Sequence, residues 1–168
     1  MKRSAFSLLE LTIGIGIVAI LVVVSLPAIA KIRARAQRLQ CMGNLRSLHV
    51  AAEQYLQDNN QWPQIGFSAS DPTTYAQNWI AALAPYQIQA KSWICPTAQN
   101  LQGNPNYTSP GKERVDYFAM PYDDKPMTPH QWPHYPWFFE TSDVHGNGQL
   151  IIFTDGSIAE LKTLIPKK

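Results

Sequence analysis

Ala5-Phe6-Ser7-Leu8-Leu9-Glu10-Leu11-Thr12-Ile13-Gly14-Ile15-Gly16 opens an apolar stretch with no charged residue between positions 11 and 30. About twenty residues in α-helical form span roughly 30 Å, the thickness of a bilayer's hydrocarbon core. Lys2 and Arg3 precede the stretch, and Lys31, Arg33, Arg35 and Arg38 follow it. Glu10 therefore places one carboxylate at the edge of an otherwise apolar helix. A charge at membrane depth costs several kcal/mol unless it is protonated or paired, so an intramembrane acid is a functional candidate by default. The alternative is that Glu10 sits at the interface and stays hydrated. Gly14, Gly16 and Pro27 weaken the helix locally, because glycine adds backbone freedom and proline removes a hydrogen bond. Small residues also let helices pack closely, though both residue types are ordinary in membrane helices.

Working outward, apolar residues recur beyond the basic turn at Leu39, Met42, Leu45, Leu48, Ala52, Tyr55 and Leu56, a spacing of three or four that marks one helical face. Asp58-Asn59-Asn60 ends the pattern. The spacing predicts one helix from about residue 6 to residue 57, roughly 78 Å long, with its first half in lipid and its second packed on a head. His49 reads as an ordinary residue of this stalk.

Of the 13 prolines, all but Pro27 and Pro166 fall within residues 63–136, so this region consists mostly of loops and short elements. Asp71 as N-cap and Pro72 at the first turn introduce a helix over residues 73–84, stopped by Pro85. Residues 92–95, 115–119 and 137–141 are extended candidates. Residues 149–154 and 157–161 read as two strands around Asp155-Gly156, a pair suited to a type I′ hairpin turn because both residues tolerate positive φ. The fold class expected is α+β: a long N-terminal helix packed on a small antiparallel sheet.

A chain of 168 residues holds one ordinary domain once a membrane segment is subtracted. Its net charge of +2 leaves no broad cationic surface, which argues against nucleic acid as a partner. Cys41 and Cys95 are enough for one intramolecular bridge, which needs an oxidising compartment, or they are two unrelated buried thiols. No C-x-x-C occurs, and the four histidines do not complete a zinc spacing. No paired carboxylates, nucleophile motif or phosphate loop points to an enzyme, and neither Ser142 nor Ser157 lies in a nucleophile elbow.

The N-terminus resembles the type IV prepilin class: a short basic leader, then Phe-Ser/Thr-Leu-x-Glu and a hydrophobic helix. Here Lys2-Arg3-Ser4-Ala5 matches the leader, Phe6 the first mature residue and Glu10 its acid, with Pro27 where such helices carry a proline. The leader ends in Ala5 where the family more often has glycine. The resemblance implies cleavage between Ala5 and Phe6 by a prepilin peptidase. The Glu10 carboxylate then neutralises the Phe6 amine of a neighbouring subunit in a filament. Pairing both ions in a low-dielectric bundle favours one axial register, since other registers leave a charge unpaired. The implied partners are other pilin or pseudopilin subunits, the prepilin peptidase, inner-membrane assembly machinery and the lipid bilayer.

Two further matches are similar to one bacterial subgroup of these proteins. Cys41-Met42-Gly43-Asn44-Leu45 is followed by Cys95-Pro96, and the resemblance implies that Cys41 and Cys95 pair. His145, nine residues and then Asp155-Gly156 match a C-terminal His-x9-Asp-Gly signature. Its functional reading is a contact between His145 and Asp155 at a metal or partner site. Its structural reading is that Asp155 shapes the turn while His145 caps the loop Gly146-Asn147-Gly148. Asp143, Asn147 and Asp155 offer calcium oxygens, as in some pseudopilins, but no EF-hand-like loop is present, and no other cofactor is implied.

The division expected is a leader over residues 1–5, a transmembrane helix over 6–30, an amphipathic stalk over 31–58 and a head over 59–168. Counting Lys and Arg on the two sides of the apolar stretch puts the head in the cytoplasm. The family and a disulfide put it on the periplasmic or outer side of a bacterial inner membrane, and that orientation is adopted. Ala28-Ile29-Ala30 is also an A-x-A cleavage pattern, so the alternative is a secreted binding module beginning at Lys31. The charged Glu10 inside the apolar region and the uninterrupted helical pattern past Ala30 favour the prepilin reading. The aromatic run from His130 to Phe139 is expected to cover the small core, with a partner or sugar surface as the alternative.

Overall fold

The computed structural model describes residues 8–68, 70–103, 109–125 and 127–164. Helix α1 runs over Leu8–Asn59 with Pro27 inside it. The chain divides into two compact units, Met1–Ala36 and Gln37–Lys168. In the first, α1 is apolar and long enough to cross a membrane by length and composition, and its described residues are exposed throughout.

In the second unit, α1 buries Cys41, Leu45, Leu48, Ala51, Ala52 and Leu56, a repeat of three and four residues that forms one stripe. Leu39, expected on that stripe, is 67% exposed. It lies two residues from Cys41 and thus about 200° around the helix, so burying Cys41 turns Leu39 outward.

Helix α2, Pro72–Leu83, begins as expected: the Asp71 carboxylate accepts the Thr74 N–H at 3.0 Å, and Pro72 occupies the first turn, where its missing N–H costs nothing. A 3₁₀ turn over Ala84–Tyr86 carries the chain through Pro85. Residues 92–95 are not a strand. A 3₁₀ turn occupies Ala90–Trp93, Ile94 and Cys95 are extended, and helix α3 covers Pro96–Gln102. Pro96 pre-sets the φ of a first helical turn, which ends the extended run after two residues.

Strands β1 (Tyr117–Ala119), β2 (Pro136–Glu140), β3 (Leu150–Phe153) and β4 (Ile158–Glu160) form an antiparallel sheet in sequence order. The long N-terminal helix packed on this sheet is the α+β plan expected, and it is pilin-like. The register shifts between Pro136 and Phe138, which turns both Trp137 and Phe138 inward in place of strict alternation. A short helix α4, Leu161–Leu164, follows β4.

The β3–β4 turn differs from the type I′ expectation. Gly156 has φ +75° but Asp155 has no positive φ. The Gly156 N–H donates to Phe153 O at 2.9 Å, and the Phe153 N–H donates to Ser157 O at 3.0 Å. Thr154 and Asp155 are thus the central pair, and Gly156 takes the left-handed bulge position, a three-residue hairpin loop.

Trp62, Trp79, Trp93 and Trp137 are essentially unexposed and lie edge-on or tilted to one another and to Phe138, with ring centroids 5.1–6.1 Å apart. The aromatic run divides accordingly. Trp137 and Phe138 enter the core, with the Trp137 indole N–H donating to Pro129 O, while Trp132 stays 53% exposed.

Candidate functional site

Glu10 stands in the first turn of α1, where a carboxylate complements the positive helix end. Ala5 and Phe6, the proposed cleavage pair, lie outside the described residues. Gly14 and Gly16 have open space where a β-carbon would stand, and Pro27 interrupts the hydrogen-bond ladder of the same helix. The hydroxyls of Thr12 and Ser25 donate back to Leu9 O and Leu21 O, which satisfies polar side chains without a partner outside the helix.

The Cys-x-x-Asn-Leu and Cys-Pro segments meet in the head. Cys41 and Cys95 form a disulfide with Cα atoms 5.1 Å apart, both side chains buried. Asn44, one helical turn on from Cys41, donates from Nδ2 to Ile94 O at 2.9 Å, so the motif grips the extended dipeptide by its sulfur and by its backbone. Leu45 enters the core. From the sheet side, the Asp116 carboxylate accepts the Cys95 N–H at 2.9 Å, and Arg114 lies 3.4 Å from the same carboxylate. Burial raises the Asp116 pKa, while the Cys95 N–H and the Arg114 charge oppose that rise. The Tyr117 hydroxyl is directed at Cys41 O, and burial raises its pKa.

His145 belongs to this cluster and not to the hairpin turn. Its Nε2 lies 3.1 Å from Glu140 Oε1 and 3.6 Å from Cys95 Sγ, and the His145 and Glu140 side chains are 3% and 2% exposed. Glu140 Oε2 accepts the Leu150 N–H at 3.1 Å, which ties β2 to the start of β3. Burial pushes the Glu140 carboxyl up to about 7, and burial with the nearby Arg38 charge lowers the His145 pKa. Both shifts run against charge on the buried pair. Arg38 in turn pairs with Glu160 at 2.5 Å.

Asp155 is held elsewhere: it accepts the Ser157 N–H at 2.9 Å, and its other oxygen lies 3.2 Å from His134 Nδ1. The structure gives His145 and Asp155 different partners and no contact with each other among the described residues, and His145 Nε2 faces Glu140 and Cys95. The reason is chain direction. His145 lies midway along the β2–β3 connection, Asp155 occupies the β3–β4 turn at the far end of β3, and β3 separates them. Gly156 faces α1: a β-carbon there would stand 3.6 Å from His49 Cε1, and the His49 Nε2–H donates to Thr154 O at 2.9 Å. His49 also stacks on Trp137 with ring centroids 4.6 Å apart. It is thus the link between the stalk and the Asp-Gly turn, a role that helical spacing alone did not disclose.

Of the calcium candidates, Asp143 and Asn147 lie in the β2–β3 connection and Asp155 in the β3–β4 turn. Asp143 accepts the Gly146 N–H at 2.8 Å and the Lys162 ammonium at 2.9 Å, and that ammonium also donates to Gly146 O at 2.8 Å. Hydrogen bonding to Lys162 holds the Asp143 pKa low. Asn147 is exposed in the same loop, and Asp155 lies in the other turn. Glu140, Asp116 and Lys162 were not singled out from sequence. Glu140 carried a signal, an acid closing the apolar run Pro136-Trp137-Phe138-Phe139, while Asp116 and Lys162 carried none.

No protein-family model and no solved structure matches the chain. Among known proteins, it is 29% identical over 133 residues to the type II secretion system core protein G of Aeromonas hydrophila, covering 76% of this chain and 88% of that protein. It is 24% identical over 92 residues to the type IV major pilin protein PilA of Myxococcus xanthus (strain DK1622), covering 52% of this chain and 42% of that protein. The match thus spans less than half the length of the Myxococcus pilin. With one helix among the described residues apolar and long enough to cross a membrane, and with its pilin-like α+β fold, the chain is similar to structural subunits of pili and of type II secretion systems.

Proposed function

We propose that the chain is a pilin or pseudopilin subunit, cut between Ala5 and Phe6 by a prepilin peptidase and assembled through its N-terminal helix into a pilus or a type II secretion pseudopilus. The observation that carries this reading is Glu10, the one acid at the start of a helix that is charge-free from position 11 to position 30. Cleavage gives Phe6 a free amine, and that amine and the Glu10 carboxylate of a neighbouring subunit neutralise each other away from water. Gly14, Gly16 and Pro27 supply the close approach and bending that a packed bundle of such helices uses. Anchoring in the inner membrane with the head on the periplasmic or outer side agrees with the Cys41–Cys95 bridge, which persists in oxidising compartments. His145, Asp155 and Gly156 support placement in the His-x9-Asp-Gly subgroup. In the head, His145 faces Glu140 of β2 and Cys95, Asp155 holds the β3–β4 turn, and Gly156 leaves room for His49 of α1.

Two measurements test the proposal. N-terminal sequencing of the mature protein is expected to begin at Phe6, whereas a start at Lys31 identifies the secreted module instead. Glu10→Gln is expected to leave membrane insertion intact and to lower the yield of sheared filaments at least tenfold. A normal filament yield from that variant overturns the pairing.

A further inference from the structure

Among the described residues, one cluster brings two sulfurs, an imidazole and a carboxylate to a single point. Cys41 Sγ, Cys95 Sγ, Glu140 Oε1 and His145 Nε2 all lie within 4.8 Å of one another. They come from four separate places: α1, the extended segment before α3, the end of β2 and the β2–β3 connection. All four side chains are buried.

We propose that the head, before its disulfide closes, holds a zinc ion on Cys41, Cys95, His145 and Glu140. The bridge and the metal are then alternative staples at one point of the fold. Zinc takes four ligands in a tetrahedron, with Zn–S near 2.3 Å and Zn–N or Zn–O of about 2.0–2.2 Å. Those bond lengths place a nitrogen about 3.6 Å from a sulfur ligand and about 3.3 Å from an oxygen ligand. The structure has His145 Nε2 at 3.6 Å from Cys95 Sγ and 3.1 Å from Glu140 Oε1, so the imidazole already stands near ligand spacing from one sulfur and from the carboxylate. The sulfurs must part to about 3.8 Å, a change open to side-chain rotation from Cα atoms 5.1 Å apart.

The proton balance is simple. The ribosome delivers both cysteines as thiols, and the incoming zinc displaces one proton from each and any proton held by Glu140. His145 binds as the neutral imidazole. Two thiolates, one carboxylate and the dication leave one negative charge, and the Arg38 guanidinium acts on both Glu140 and His145 from nearby. The supporting contacts are also present: Leu150 N–H on the free oxygen of Glu140, and Asp116 on the Cys95 backbone.

The test uses the full chain in detergent, purified throughout under a phosphine reductant, alongside the same chain after oxidation. The reduced protein is expected to carry one zinc per chain by elemental analysis, and the oxidised protein none. Cobalt(II) added to the reduced wild-type chain is expected to give the intense visible bands and sulfur charge-transfer absorption of a tetrahedral thiolate site. That readout does not depend on any variant folding. His145→Ala and Glu140→Gln are expected to weaken zinc affinity by more than about 100-fold and about tenfold respectively. A reduced chain without zinc, a weak octahedral cobalt spectrum, or unchanged affinity in His145→Ala each overturns the proposal.

Discussion

Glu140 ends a strand whose other side chains are apolar, and its carboxyl group reaches no bulk water. Its pKa moves from 4.5 to about 7 because burial disfavours the charged form more than the Leu150 N–H and Arg38 favour it. The folded state therefore binds the proton more tightly than the unfolded chain, so this group's contribution to stability is full below pH 4.5. It is lost as pH rises through about 7, by up to about 3 kcal/mol. His145, whose pKa is lowered, acts in the opposite sense: its contribution is full above 6.5 and is lost as pH falls through its folded value. Glu140→Gln keeps the shape and a hydrogen-bonding group without the titration. Chemical denaturation of the oxidised head at pH 5 and at pH 7.5 is expected to show a fall in wild type and a smaller fall, or a rise, in the variant. Equal pH dependence in the two proteins rules this assignment out.

The β2–β3 connection shows how an element is held by contacts that no local pattern announces. Gly148 has φ +93°, and a β-carbon on it would lie 2.8 Å from the Lys162 backbone nitrogen, a contact with backbone that is relieved only by shifting the β2–β3 connection or α4. Gly148→Ala combines left-handed strain with this clash. It is expected to lower head stability by about 2 kcal/mol, read as a lower unfolding midpoint. An unchanged midpoint excludes it. Elements with local punctuation were legible in the sequence: α2 from Asp71-Pro72, β3 and β4 from two apolar runs around Asp155-Gly156. Residues 92–95 misled because two extended residues flanked by a 3₁₀ turn and Pro96 have the composition of a short strand. Leu39 misled because a helical stripe read from hydropathy alone does not say that a cysteine is to be buried in place of a leucine. The turn type was missed because Asp-Gly serves both two-residue and bulged hairpins, and the strand register selects between them.

For the molecule as a whole, the Cys41–Cys95 bridge joins residues 54 apart in sequence and pins α1 to the segment that precedes α3. Removing it restores chain entropy to the unfolded state, so Cys41→Ser with Cys95→Ser is expected to lower head stability by about 4 kcal/mol in denaturant titrations under oxidising conditions. A loss below about 1 kcal/mol contradicts a structural role for the bridge. What the sequence determined by itself is the apolar helix with Glu10 at its start and the α+β class of the head. Helical length, hydropathy and turn chemistry are properties of neighbouring residues and survive reading one stretch at a time. The meeting of Cys41, Cys95, Glu140 and His145, the release of Asp155 from His145, and the bond from His49 to the Asp-Gly turn were decided by tertiary structure. These residues are brought together by strand pairing and by the packing of α1, and the separation of groups across a fold depends on every element between them.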